Sequence, residues 1–170
     1  MAHRLAVLLP ALLLGSCAAP TFPPPRQYDF TAPSPIGSFV NMIYADADSY
    51  VVRDVPPNAV TKSWRWAGAH PQLRFFIEAP NGVTFSADYA CAETLFRQTG
   101  PVTLTFLIND RKFGQTNCSH SGRAQFSIKV PSGLLIPGAI NLLRIEPDKT
   151  AAGEDGTVLG FILISAGFLS

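Results

Sequence analysis

The sequence predicts an all-β chain: an antiparallel β-sandwich carried behind an N-terminal leader. Three observations carry this prediction. Beyond residue 36, short apolar runs alternate residue by residue with polar ones, the signature of half-buried strands. Those runs are separated by Gly, Pro, Asn and Asp. The 15 prolines and 13 glycines among 170 residues also disfavour long helices.

Taken in order, the strands are expected at 38–43, 50–55, 63–66, 72–78, 83–87, 102–108, 123–130, 140–146 and 158–166. The alternation is clearest at 102–108, where Val102, Leu104, Phe106 and Ile108 share one face and Thr103 and Thr105 lie on the other. Likewise Ala124, Phe126, Ile128 and Val130 fall on one side of 123–130. Pro80-Asn81-Gly82 reads as a hairpin turn, because Asn and Gly accept positive φ, and Asn109-Asp110-Arg111-Lys112 turns the next strand around. A short helical turn is expected at 90–97.

The first residues read as an address rather than as part of the fold. Arg4 and the amino terminus precede an apolar run from Leu5 to Leu14, and the small residues Gly15 and Ser16 follow, which is the layout of a secretory signal. Leu14-Gly15-Ser16-Cys17 resembles the lipobox of bacterial lipoproteins. That resemblance implies cleavage before Cys17 and a lipid on its thiol, and Ala18 after it goes with outer-membrane sorting. The expected organisation is a signal peptide at 1–16, lipidated Cys17 with a Pro-rich tether at 17–35, and a β-sandwich domain at 36–170. Six prolines between residues 20 and 35 favour an extended spacer that holds the domain off the membrane, although Tyr28 and Phe30 could also dock on it.

Lipidation also settles the odd cysteine count. With Cys17 acylated, Cys91 and Cys118 remain, and an oxidising compartment favours their disulfide over two buried free thiols. A zinc site at Cys118 and His120 lacks the further ligands that structural zinc requires. The 13 basic and 12 acidic side chains leave almost no net charge, which argues against a nucleic-acid binder built on a basic stripe.

Residues 100–110, Gly-Pro-Val-Thr-Leu-Thr-Phe-Leu-Ile-Asn-Asp, are followed by Val130-Pro131 and then by Pro137-Gly138-Ala-Ile-Asn141. Arg65-Trp66 lies upstream and Asp155-Gly156 with Leu159-Gly160-Phe161 closes the chain. The order resembles the galactose-binding-like jelly rolls found beside bacterial polysaccharide-synthesis and glycosyl-transfer proteins. Asp110 replaces a usual glycine, and no arginine lies between Asp155 and Leu159. The resemblance implies a jelly-roll sandwich that binds carbohydrate or serves as a structural module, without chemistry of its own.

Trp64 and Trp66 flank Arg65 on a short run, so alternation puts both indoles on one face, either in the core or against sugar rings. Together with Tyr50 they form the expected carbohydrate-binding site: Trp64, Arg65, Trp66 and Tyr50. Asp46 and Asp48 with Asp155 offer carboxylates for calcium, yet a hard cation wants six to eight oxygens, and a solvated loop is the simpler expectation. No cofactor is otherwise implied. Glu78, Asp88, Glu93, Asp110 and Glu146 are the carboxylates a glycan hydrolase would pair, but no motif pairs them, and no Gly-x-Ser-x-Gly elbow is present. The reading is therefore a non-catalytic, carbohydrate-binding, lipid-anchored protein of the bacterial envelope, extracytoplasmic and at the outer membrane. Its partners would be a glycan or envelope polysaccharide and the membrane. An assembly lipoprotein that meets another envelope protein is the alternative, and a hydrolase with cryptic carboxylates a weaker one.

Overall fold

The computed structural model describes residues 36–58 and 63–170. The expected signal peptide, the expected lipidation at Cys17 and the expected Pro-rich tether all lie outside the described residues. The elements in chain order are β1 (Phe39–Asn41), α1 (Ala47–Tyr50), β2 (Val51–Arg53), β3 (Arg65–Ala67), β4 (Gln72–Ile77), β5 (Thr84–Cys91) and α2 (Glu93–Thr99). They continue with β6 (Val102–Ile108), β7 (Arg111–Cys118), β8 (Gly122–Lys129), β9 (Ala139–Pro147), β10 (Ala151–Ala152), β11 (Val158–Leu159) and β12 (Phe161–Leu169). One sheet runs β1-β12-β5-β8, with β3 also beside β12; the other runs β2-β4-β9-β6-β7; β10 and β11 form a small hairpin. Every pairing is antiparallel. The chain is an antiparallel β-sandwich of jelly-roll type.

The pleat explains the core. Val102, Leu104, Phe106 and Ile108 of β6 are buried while the residues between them are half-buried, as alternation requires. Phe85 reaches from the opposite sheet to within 5.2 Å of Phe106 and 5.3 Å of Phe113, ring centre to centre, and Phe106 stacks on Phe126 at 4.6 Å. Each such phenylalanine contributes about 1.5–3 kcal/mol by leaving water. Cys91 at the end of β5 and Cys118 at the end of β7 are disulfide-bonded, Cα to Cα 6.4 Å, which ties the two sheets together.

The structure corrects several local expectations. Pro80-Asn81-Gly82 is not a hairpin: β4 and β5 belong to different sheets, and the turn, with Gly82 at φ 73°, carries the chain across the sandwich. The true hairpin is Asn109-Asp110, both left-handed (φ 47° and 67°), between β6 and β7. The strand β7 was not expected at all. It is an edge strand in which only Phe113 and Cys118 are buried, too few apolar positions to register as a period. The helical turn expected at 90–97 begins later, because Cys91 is still paired in β5. Residue 160 breaks the last expected strand in two. There a side chain on Gly160 would meet the Gly68 carbonyl oxygen at 2.3 Å, so β3 can close on the start of β12 only over a glycine.

Candidate functional site

The strand β3 lies against the first residues of β12, with Trp66 opposite Ile162 and Arg65 opposite Leu163. Leu163 is buried, and so is Arg65; the pleat therefore sends Trp64 and Trp66 to the other side, where both are half-buried. Their ring centres are 6.1 Å apart and their planes stand at 88°, edge against face. They line a groove of about 850 Å³ together with Pro56, Pro57, Asn58, Leu159 and residues of the 153–157 turn. That size lies within the range of small-ligand sites, which bury an apolar face against a few placed polar groups.

The 153–157 turn belongs to the β10–β11 hairpin. Ala151 pairs with Leu159 and Ala152 with Val158, and Gly156, at φ 81°, closes the loop. Asp155 organises it: its carboxylate accepts hydrogen bonds from the Thr157 hydroxyl and, at 2.9 Å, from the Thr157 backbone N–H. Those two donors, the hydroxyl first, hold the Asp155 carboxyl below the usual aspartate range, so it is ionised at neutral pH. Glu154 beside it is exposed.

The other two residues of the expected site are elsewhere. Tyr50 is buried among the core side chains, 5.7 Å from Phe75 by ring centre, and its hydroxyl accepts the Gly37 N–H at 2.9 Å. Tyr50 is thus a core residue and does not reach the groove. Arg65 donates to Asp48 at 2.5 Å and ties α1 to β3, facing away from the indoles. Sequence reasoning missed Pro56, Pro57 and Asn58, whose turn signal was plain but whose position in space was not. It also missed Glu154, which sits about ninety residues along the chain from the tryptophans.

Most of the remaining candidates are engaged by neighbouring side chains. Asp48 is engaged by Arg65 and Asp155 by Thr157, and among the described residues no group of three His, Cys, Asp or Glu side chains is placed to hold a metal. The calcium cluster of Asp46, Asp48 and Asp155 therefore does not assemble. Cys118 is in the disulfide and cannot serve zinc as a thiolate. Asp88 is engaged by Arg123 and by Gln125; the Arg123 hydrogen bond, against a smaller burial effect, holds its carboxyl below the usual range. Glu93 pairs with Arg97, while Asp110 and Glu146 both face Arg144, at 3.2 and 3.4 Å. Glu78 is exposed beyond the end of β4.

No family model and no curated protein matches this chain. Among solved structures it is similar to the CBM51-2 and INT domains of ZmpB from Clostridium perfringens, determined in complex with GlcNAc. The TM-score is 0.36 and the identity 9%, over 78% of this chain and 28% of that one. The chain thus spans under a third of the length of that neighbour. No helix among the described residues is long and apolar enough to cross a membrane.

Proposed function

We propose that this chain binds carbohydrate, without catalysis, in the groove over Trp64 and Trp66, and that a lipid on Cys17 anchors it to the bacterial envelope. The observation that carries the binding is the pair of half-buried indoles, 6.1 Å apart, turned out of the core into a groove of about 850 Å³. Large aromatic side chains in a small sandwich normally complete the core; here that role is filled by Phe75, Phe85, Phe106, Phe161, Phe168, Tyr50 and Tyr89, and the two tryptophans are only half-buried. Indole faces match the apolar faces of sugar rings, and the Asn58 and Thr157 side chains on the rim are of the type that meets hydroxyls. The carboxylates that could serve hydrolysis are mostly committed to arginines, and Asp155 to its own loop. The disulfide belongs to an oxidising compartment, which agrees with secretion.

Trp66→Ala and Trp64→Ala, each tested on a glycan array and then by calorimetry, are expected to weaken binding by roughly ten- to thirtyfold, about 1.4–2 kcal/mol. Unchanged affinity in both variants would sink the site. The anchor has its own test: Cys17→Ser should leave the membrane fraction or accumulate unprocessed, and a free Cys17 thiol in membrane-extracted protein would rule lipidation out.

A second reading, an assembly protein with a protein partner, is favoured by a different surface. Phe76 and Ile140 face each other across β4 and β9, with Leu142 next along β9, all three exposed on the outer face of their sheet. Binding of no glycan at all, with both tryptophans intact, would move the balance to that reading.

A further inference from the structure

We propose that the sugar this groove selects carries a free amine, so that an ammonium group lies against the indoles. The inference rests on the carbohydrate reading above and adds the class of sugar. The first observation is the angle between the rings. Two coplanar indoles would make a platform for a flat sugar face, but planes at 88° with centres 6.1 Å apart make a corner. A compact cation suits such a corner, where the electron-rich face of one ring is within reach and the second ring closes the side.

The second observation is the charge around that corner. Glu154 and Asp155 stand on the rim, and among the described residues no lysine or arginine lines the groove. Arg65, which neighbours both indoles in sequence, is turned away to Asp48. Asp155 is held ionised by Thr157, so the groove keeps its negative charge at neutral pH. Among the described lining residues the two carboxylates thus set a negative sign that the near-zero net charge of the whole chain does not show, and it is the local field that a bound group feels. A neutral sugar can offer these carboxylates only hydroxyl hydrogen bonds, whereas an amino sugar adds a charge pair with them and a cation–π contact with the rings. The specificity comes from the difference between those two cases.

The test titrates the purified full chain with short oligomers of glucosamine, N-acetylglucosamine and glucose, following indole fluorescence and heat. The glucosamine oligomer is expected to bind at least fivefold tighter than either neutral one at low salt, with the preference falling as salt is raised. Glu154→Gln should cut the preference for the glucosamine oligomer at least threefold. Trp66→Ala should weaken binding of all three. If the three oligomers bind equally, and Glu154→Gln changes none of them, the charge inference is overturned and the carbohydrate reading stands. If none binds in a way that Trp66→Ala alters, the carbohydrate reading falls and the inference with it.

Discussion

Replacing Asn141 by alanine is expected to destabilise the fold by about 3–5 kcal/mol, one of the two largest effects of a small change in this protein. Asn141 is fully buried, and its amide is saturated. The carbonyl oxygen accepts the Ile136 N–H at 2.8 Å and the Asn109 side-chain N–H at 2.9 Å. The amide nitrogen donates to the Ile136 carbonyl at 3.0 Å and the Ala139 carbonyl at 3.1 Å. Asn109 continues the network, donating to the Leu134 carbonyl and accepting the Leu142 N–H. Two asparagines thus pin the 131–138 segment to the end of β6 and the start of β9, in place of a regular ladder. Alanine would take the present partner from up to four polar groups, at about 1–3 kcal/mol for each that water does not reach. Urea denaturation should show the midpoint fall with an unchanged slope. A loss under about 1 kcal/mol would mean that water replaces the amide and that the site is not closed.

The same two asparagines show what the sequence makes legible. Asn109 at the end of 102–108 and Asn141 after Pro137-Gly138 stand in the sequence as members of an order of short motifs. Their partnership was not readable, because they are 32 residues apart and nothing in a period of two says which turn meets which strand. Strands on the core face of the sandwich were legible wherever one face is buried, as in β6. The polar edge strand β7 was not, and the Pro80-Asn81-Gly82 turn was given the wrong topology because turn chemistry fixes a reversal and not the sheet it leads to. At the groove, alternation placed Trp64 and Trp66 together, and the same rule already placed Arg65 on the opposite face. Grouping it with them let chemistry override geometry. Tyr50 was assigned by its aromatic character, and only the Gly37 hydrogen bond and the Phe75 contact reveal it as core.

Loss of the Cys91–Cys118 bond is the other large effect, about 3–4 kcal/mol in the chain-entropy picture for a loop of this length. For a domain of this size that lowers the melting temperature by roughly 10 °C or more. The bond matters because of where it sits. β8, which follows in the chain, pairs only with β5, and β7 pairs only with β6, so the edge where the two sheets face each other has no ladder across it. The bridge is the covalent link at that edge, between residues that are themselves buried. Two comparisons separate the link from the packing. Reduced wild-type protein keeps both sulfurs in place and loses only the bond, whereas Cys91→Ala with Cys118→Ala also removes the sulfur atoms and leaves a small void. If the reduced protein already melts at least about 10 °C lower and the double variant only slightly lower still, the bond itself is what stabilises the edge. If the reduced protein melts within about 2 °C of the oxidised one, interdigitation of Phe85, Phe106 and Phe126 holds the sheets unaided, and the stabilising role assigned to the disulfide is wrong. Thiol titration of the native, unreduced protein decides whether the bond is there to be lost: two reactive thiols from Cys91 and Cys118 would end the argument before the melting curves are compared.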